Sequence, residues 1–190
     1  MLSVYSWITI ALWAFCFAWL AGHARTAGQN VQFYGQTPWI TRAFKAIALS
    51  CMFAVLYFPH WFGLPVRRNA PGDILGITGT VFGATGVLLI VLSRRALGQN
   101  WSDLVLLKQN HELVRKGPYT LVRHPLYSGM ILGLLGSAMT VGSRAGYGIA
   151  TACFIGLFAK SRREEALLTR QFLAYEVYRR QVRAFIPHVF

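Results

Sequence analysis

Acidic side chains are nearly missing from this chain, with six Asp and Glu against 19 Lys and Arg in 190 residues. Charge of either sign is scarce, at 13% of residues, whereas a soluble domain carries about 25%. With 55% hydrophobic residues and a mean hydropathy of +0.43, the composition is that of an integral membrane protein. Cysteine is also rare. Cys16, Cys51 and Cys153 form no C-x-x-C pair and no Cys/His cluster with metal spacing, and each lies in an apolar segment. They read as buried small hydrophobes, with no metal implied. There is no G-x-G-x-x-G fingerprint and no βαβ pattern, which excludes a Rossmann domain. A dense basic face is missing too. The basic residues sit between apolar blocks, so the net charge of +13 serves topology and anionic lipid, and nucleic-acid binding is set aside. At this length there is no room for a second globular unit.

What is present is a series of apolar runs. Ser3 to Gly22 is long enough to cross about 30 Å of hydrocarbon, and it lacks the basic n-region of a signal peptide. Ala43 to Phe58 is the second run, ended by Pro59 and followed by interfacial His60 and Trp61. Ile74 to Leu92 is the third, with Asp73 placed to favour the positive end of the helix dipole. Leu126 to Lys160 gives two shorter segments joined near Gly142-Ser143-Arg144. The expectation is an all-α integral membrane protein of about five transmembrane helices, the last two a short helical hairpin. Residues 1–93 would carry three helices. Residues 94–190 would carry a cytoplasmic loop, the hairpin over 126–160 and a C-terminal amphipathic helix over 161–185. Threading five spans puts 16 of the 19 basic residues on one side and only Arg67, Arg68 and Arg144 on the other. The positive-inside rule then places the N-terminus outside and the C-terminus in the cytoplasm, as in a bacterial inner membrane. Glycines at 72, 76, 79, 83 and 86 and at 129, 133 and 136 have the spacing that lets helix backbones approach closely.

Two cytoplasmic segments carry chemistry. In the loop, Leu104 to Leu107 reads as a short strand or surface-lying segment, Lys116-Gly117-Pro118-Tyr119 as a turn, and Arg123-His124-Pro125 as a surface turn opening the fourth span. A helix start beside Arg123 suits a carboxylate or phosphate. After the hairpin, Leu168, Phe172, Tyr175, Tyr178, Val182 and Phe185 form the apolar stripe of a helix lying against the membrane. Glu164 and Glu165 sit where that helix leaves the bilayer. They read either as a local ion-pair set with Lys160, Arg162 or Arg163, or as carboxylates kept for a ligand.

The order His111-Glu112-Leu113-Val114, Gly117-Pro118-Tyr119, Arg123-His124-Pro125-Leu126-Tyr127-Ser128-Gly129, Glu164-Glu165 and Tyr175-x-x-Tyr178 through Pro187 resembles the isoprenylcysteine carboxyl methyltransferase family. That family shares its fold with the phosphatidylethanolamine N-methyltransferases. The resemblance covers about Leu97 to Pro187. It implies S-adenosylmethionine as cofactor, contacted by His111, Glu112, Leu113, Val114, Tyr119, His124, Pro125, Leu126, Tyr127 and Glu164. Arg123 and Glu165 join this set by position, with Glu165 the less important acid. Lys160, where eukaryotic members carry a substrate-contacting arginine, and Arg163 are the implied substrate contacts. Lysine keeps the charge there but loses the bidentate fork. Leu106 replaces a cofactor-contacting glutamine of some relatives, and Phe172-Leu173-Ala174-Tyr175 is one residue shorter than the usual Phe-Gly-x-x-Tyr.

The implied reaction is methyl transfer to a lipophilic acceptor entering from the bilayer. An isoprenylcysteine carboxylate is preferred, with a phospholipid or a small thiol as alternatives. No catalytic residue is assigned, since a carboxylate nucleophile needs no general base. NADPH-dependent sterol reductases resemble the same C-terminal architecture, but commonly carry Arg-His-Pro-Asn-Tyr with a nearby Gly-Glu. Leu126 and Met130 depart from that pattern.

Overall fold

The computed structural model describes residues 2–24, 38–66, 73–98, 113–187 and 189. Within them the regular elements are six α-helices: α1 (Val4–Ala24), α2 (Pro38–Tyr57), α3 (Ile74–Leu97), α4 (Pro125–Val141), α5 (Arg144–Gln171) and α6 (Leu173–Gln181). Single 3-10 turns at Pro59–Phe62 and Gly117–Thr120 complete them. Local chemistry sets the ends. Pro38 and Pro125 open α2 and α4, where a missing N–H costs nothing. The Asp73 carboxylate accepts from Leu75 N at 2.9 Å and caps α3. Between α4 and α5 the chain turns in two residues. Gly142 takes φ 70°, the left-handed conformation that closes α4, and the Ser143 hydroxyl then caps α5 by accepting from Gly146 N.

Glycine decides the central contact. α3 and α4 pack against each other more extensively than any other pair. A Cβ at Gly86 would lie 2.6 Å from the Gly129 carbonyl oxygen, and one at Gly79 would lie 2.7 Å from that of Gly136. The glycine rows are therefore a backbone-to-backbone seam, as their spacing implies. Around it Trp13, Cys16, Leu56, Tyr57, Val87, Ile90 and Leu134 form the core. Buried hydroxyls tie α1 and α2 to α4. Ser137 accepts from Trp13 Nε1 at 3.0 Å and from Tyr57 OH at 2.8 Å, and donates to Gly133 O. Ser6 donates to Thr140 O at 3.0 Å. These bonds leave no polar group of the set without a partner inside an apolar bundle.

The helix ends sort into two groups. Val66 bridges Ser143, so the chain after α2 meets the α4–α5 turn, with Phe58 stacked on Trp61 nearby. At the other end the buried Arg94 guanidinium donates to Gly98 O and His23 O, joining the ends of α3 and α1. α1 and α3 are each long and apolar enough to cross a membrane, whereas α4 has 17 residues, about 25 Å.

Two expectations are corrected. The second limb of the hairpin does not stop at Lys160: α5 runs on to Gln171, and the break comes at Phe172, whose backbone is extended (φ −121°, ψ 108°). Hydropathy marks where apolar surface ends, and nothing in Ser161 to Glu165 interrupts a helix. The stretch 161–185 is thus the end of α5, the nine residues of α6 and an extended tail. Cys51 is exposed on the bundle surface, while only Cys16 is fully buried. The run Leu104–Leu107 lies outside the described residues.

Candidate functional site

The extended tail makes the site. After α6 the chain turns back along the segment before α4, and Arg123 N and His124 N donate to Arg183 O and Ala184 O at 2.8 and 2.9 Å. Ser128 Oγ donates to Phe185 O at 2.8 Å, and Tyr178 OH donates to Tyr119 O at 2.6 Å. Two pieces of chain some sixty residues apart in sequence are stitched into one surface at the start of α4.

Beneath this strap lies a buried ionic centre on Glu165, whose residue is 4% exposed. Arg123 reaches its Oε1 through Nη2 at 2.8 Å and Nε at 2.9 Å. His124 Nε2 lies 3.0 Å from the same oxygen, and Arg179 Nε lies 3.7 Å from Oε2. The remaining donor of Arg123, Nη1, bonds the carbonyls of Arg179 and Val182. Burial would raise the Glu165 carboxyl. The hydrogen bonds from His124 and Arg123, with the guanidinium charge, outweigh it and hold the group at about 2. An ionised carboxylate only accepts, so His124 Nε2 carries the proton. Burial also pushes the Tyr119 and Tyr175 hydroxyls up, and that of Tyr178 to about 12, which keeps all three neutral at ordinary pH.

The outer layer is a half-buried rim. Tyr127 OH donates to Glu164 Oε1 at 2.5 Å, and Lys160 Nζ lies 3.8 Å from that oxygen and 5.4 Å from the Tyr127 ring centre. His124 Nδ1 faces Glu164 Oε2 at 3.8 Å. The His124 ring lies between those of Tyr127 and Phe185, at 5.5 and 5.7 Å. Glu164 and Glu165 are therefore differentiated by depth. The inner acid is consumed by structural partners, and the outer one lines an accessible face.

The structure brings Tyr119, Arg123, His124, Pro125, Leu126, Tyr127, Lys160, Glu164 and Glu165 into one region where the start of α4 meets the C-terminal half of α5. Leu113 and Val114 are half-buried just ahead of it. His111 and Glu112 fall outside the described residues. Arg163 is on the exposed face of α5, away from the rim. Two expectations change. His124 is buried, at 7% exposure, instead of sitting on a surface turn. Arg123 points to Glu165 and to carbonyls of α6 and the tail, not to the start of α4, because the buried acid outcompetes a solvated helix end for its fork. The reading of the sequence missed Arg179 and the stacking role of Phe185. Phe185 was visible only as the last member of an apolar stripe, and Arg179 carried no signal beyond charge.

A family model described as phospholipid methyltransferase matches residues 74–174, from α3 through both acids to the start of α6. The chain belongs to that family. Among curated relatives, the cobalt-zinc-cadmium resistance protein CzcN of Cupriavidus metallidurans is 32% identical over 103 residues, 53% of this chain and 48% of its own length. The protein-S-isoprenylcysteine O-methyltransferase of Schizosaccharomyces pombe is 36% identical over 94 residues, 47% of this chain and 40% of its own. The chain thus spans about half the length of the curated relatives it matches. In three dimensions it resembles the eukaryotic intramembrane Ras methyltransferase ICMT with a TM-score of 0.52 at 22% identity, over 82% of this chain and 54% of that one. That likeness establishes the fold. The isoprenylcysteine-methyltransferase-like recognition drawn from Arg123-His124-Pro125 and Glu164-Glu165 is borne out, and the phospholipid methyltransferase family member described here is an integral membrane protein.

Proposed function

We propose that this protein is an S-adenosylmethionine-dependent methyltransferase acting on a lipophilic acceptor, with an isoprenylcysteine-like carboxylate preferred. The observation that carries the reading is the depth difference between the two acids within a matched family segment: Glu165 is used up in fixing His124 and the tail, and leaves Glu164 with Tyr127 on an open rim. The donor set fits the cofactor. A half-buried carboxylate suits its ammonium or ribose hydroxyls, and the His124 and Tyr127 rings offer aromatic surface. When bound, S-adenosylmethionine supplies a methyl group on a cationic sulfur.

The work of the chain is placement. His124, locked by Glu165 below and by Phe185 and Tyr127 beside it, presents one fixed edge to the rim. Lys160, at the end of the apolar half of α5, meets an anionic acceptor group arriving from the bilayer. Its proximity to Glu164 keeps both charges partly satisfied between encounters. A carboxylate acceptor asks for no proton removal, so the site needs positioning and water exclusion more than a base. A phospholipid acceptor is the second reading, favoured by the description of the family model. In the proposed topology five helices cross the bilayer, with the strap and rim on the cytoplasmic side together with most of the basic residues.

Calorimetric titration of detergent-purified protein with S-adenosylmethionine and with NADPH tests the cofactor, and radiolabelled methyl transfer to a farnesylcysteine analogue, a phosphatidylethanolamine and a small thiol tests the acceptor. Saturable S-adenosylmethionine binding with transfer to the prenylated acid is expected. Binding of NADPH alone overturns the assignment.

A further inference from the structure

The strap has an outer side with its own chemistry. Thr120 and Leu121 from the loop and Arg180, Gln181, Val182 and Arg183 from the end of α6 line a cleft of about 270 Å3. Its level relative to the membrane follows from the tail. Phe185 packs on Phe154 and Phe158, which belong to the apolar half of α5 before Lys160, while Leu121 lies four residues before the start of α4. The cleft therefore sits where the apolar bundle meets the polar cap. Leu121 is 60% exposed and Ile186 53% exposed at this level, as they would be against acyl chains and not against water. Arg180 and Arg183 are exposed beside them; the acid nearby, Glu176, lies 3.6 Å from Arg180 Nε and is itself half exposed. Apolar side chains toward the bilayer with two guanidinium forks above them are complementary to a lipid whose headgroup carries net negative charge.

We propose that this cleft binds the phosphate of an anionic phospholipid of the surrounding bilayer, seating α6 and the tail at the headgroup layer. None of its six residues belongs to the rim that would hold cofactor and acceptor, so it is a second site with a positioning role. A zwitterionic lipid presents the same phosphate with a compensating ammonium, and binds less well to a pair of arginines.

Native mass spectrometry of detergent-purified protein, titrated with short-chain phosphatidylglycerol or phosphatidylcholine, reads the lipid adducts directly. Wild type is expected to favour phosphatidylglycerol, and Arg180→Gln/Arg183→Gln to lose about tenfold of that affinity with phosphatidylcholine adducts unchanged. The charge-matched control Arg144→Gln/Arg170→Gln, neither of which lines the cleft, should bind like wild type. All four positions are exposed, so folding is preserved, and a melting curve of each variant confirms it. Equal loss in both double variants, equal affinity for the two lipids, or displacement of phosphatidylglycerol by glycerol 3-phosphate at the same concentration overturns the proposal. The last of these results would mark a site for soluble phosphoesters.

Discussion

Replacing Glu165 by Gln removes one charge from the least accessible ionic centre in the described protein, and its effect can be sized in advance. A carboxyl held at about 2 instead of its ordinary 4.5 corresponds to about 3 kcal/mol of native-state stabilisation, at about 1.36 kcal/mol for each tenfold change. The residue is almost fully buried, so solvent screening removes little of this. The same order, about 3–5 kcal/mol, is typical of breaking a buried pair and leaving its partner uncompensated, and Arg123 would be that partner. Gln keeps the shape and one acceptor, which puts the expected loss at the lower end, roughly 6–12 °C in melting temperature for a chain of this size. The sign follows from the depressed folded value. Stabilisation is fully present above about 4.5 and disappears as pH falls toward about 2. Thermal melts of wild type and Glu165→Gln in detergent at a series of pH values should therefore show a wide gap near pH 7 that narrows below about 4.5. A gap under 1 °C at neutral pH, or one that stays constant down to pH 3, refutes the account of Glu165 as the charged anchor of the strap.

Glu164→Gln should leave the melting temperature within about 2 °C of wild type while weakening S-adenosylmethionine binding by about 1–3 kcal/mol, measured by calorimetry. Phe185→Ala removes the ring that stacks on His124 and packs on Phe154 and Phe158, and denaturant or thermal unfolding should report a loss of about 3–5 kcal/mol. Gly86→Val forces a side chain into the Gly129 and Gly133 backbone, and should give protein that extracts from membranes as aggregate by size-exclusion chromatography; a monodisperse, wild-type-like peak would show that α3 and α4 are not in backbone contact.

Much of the architecture was written in local pattern. The two-residue turn at Gly142 and Ser143, the Asp73 cap, Pro125 opening α4 and the glycine seam all follow from residue chemistry acting over a few positions. The end of α5 was not legible, because loss of hydropathy at Lys160 says where lipid stops and nothing about whether the backbone hydrogen-bond ladder stops. In the site, motif order identified the participants Arg123, His124, Tyr127, Glu164 and Glu165, but not their depth. Glu164 and Glu165 are neighbours in sequence and about 100° apart around a helix, so one faces the rim and the other the strap. Which faces which depends on how α5 is rotated against α4, a tertiary choice with no local signature. The same limit hid Arg179, which enters the centre only because the chain reverses at Phe172.

The strap also imposes an order of events on biosynthesis. Arg123 and His124 leave the ribosome about sixty residues before Arg183 and Ala184, the partners of their backbone amides. At about 5–20 residues per second, the guanidinium that becomes the buried partner of Glu165 waits several seconds at the bilayer surface, and its second set of acceptors, the Arg179 and Val182 carbonyls, arrives last. All of α1 to α5 is synthesised before the cap can close. A nascent chain stalled after α5 would thus be a helical bundle with an unassembled polar end, exposed to proteases and chaperones of the aqueous side, and the cap can close only once Arg179 to Phe185 have emerged.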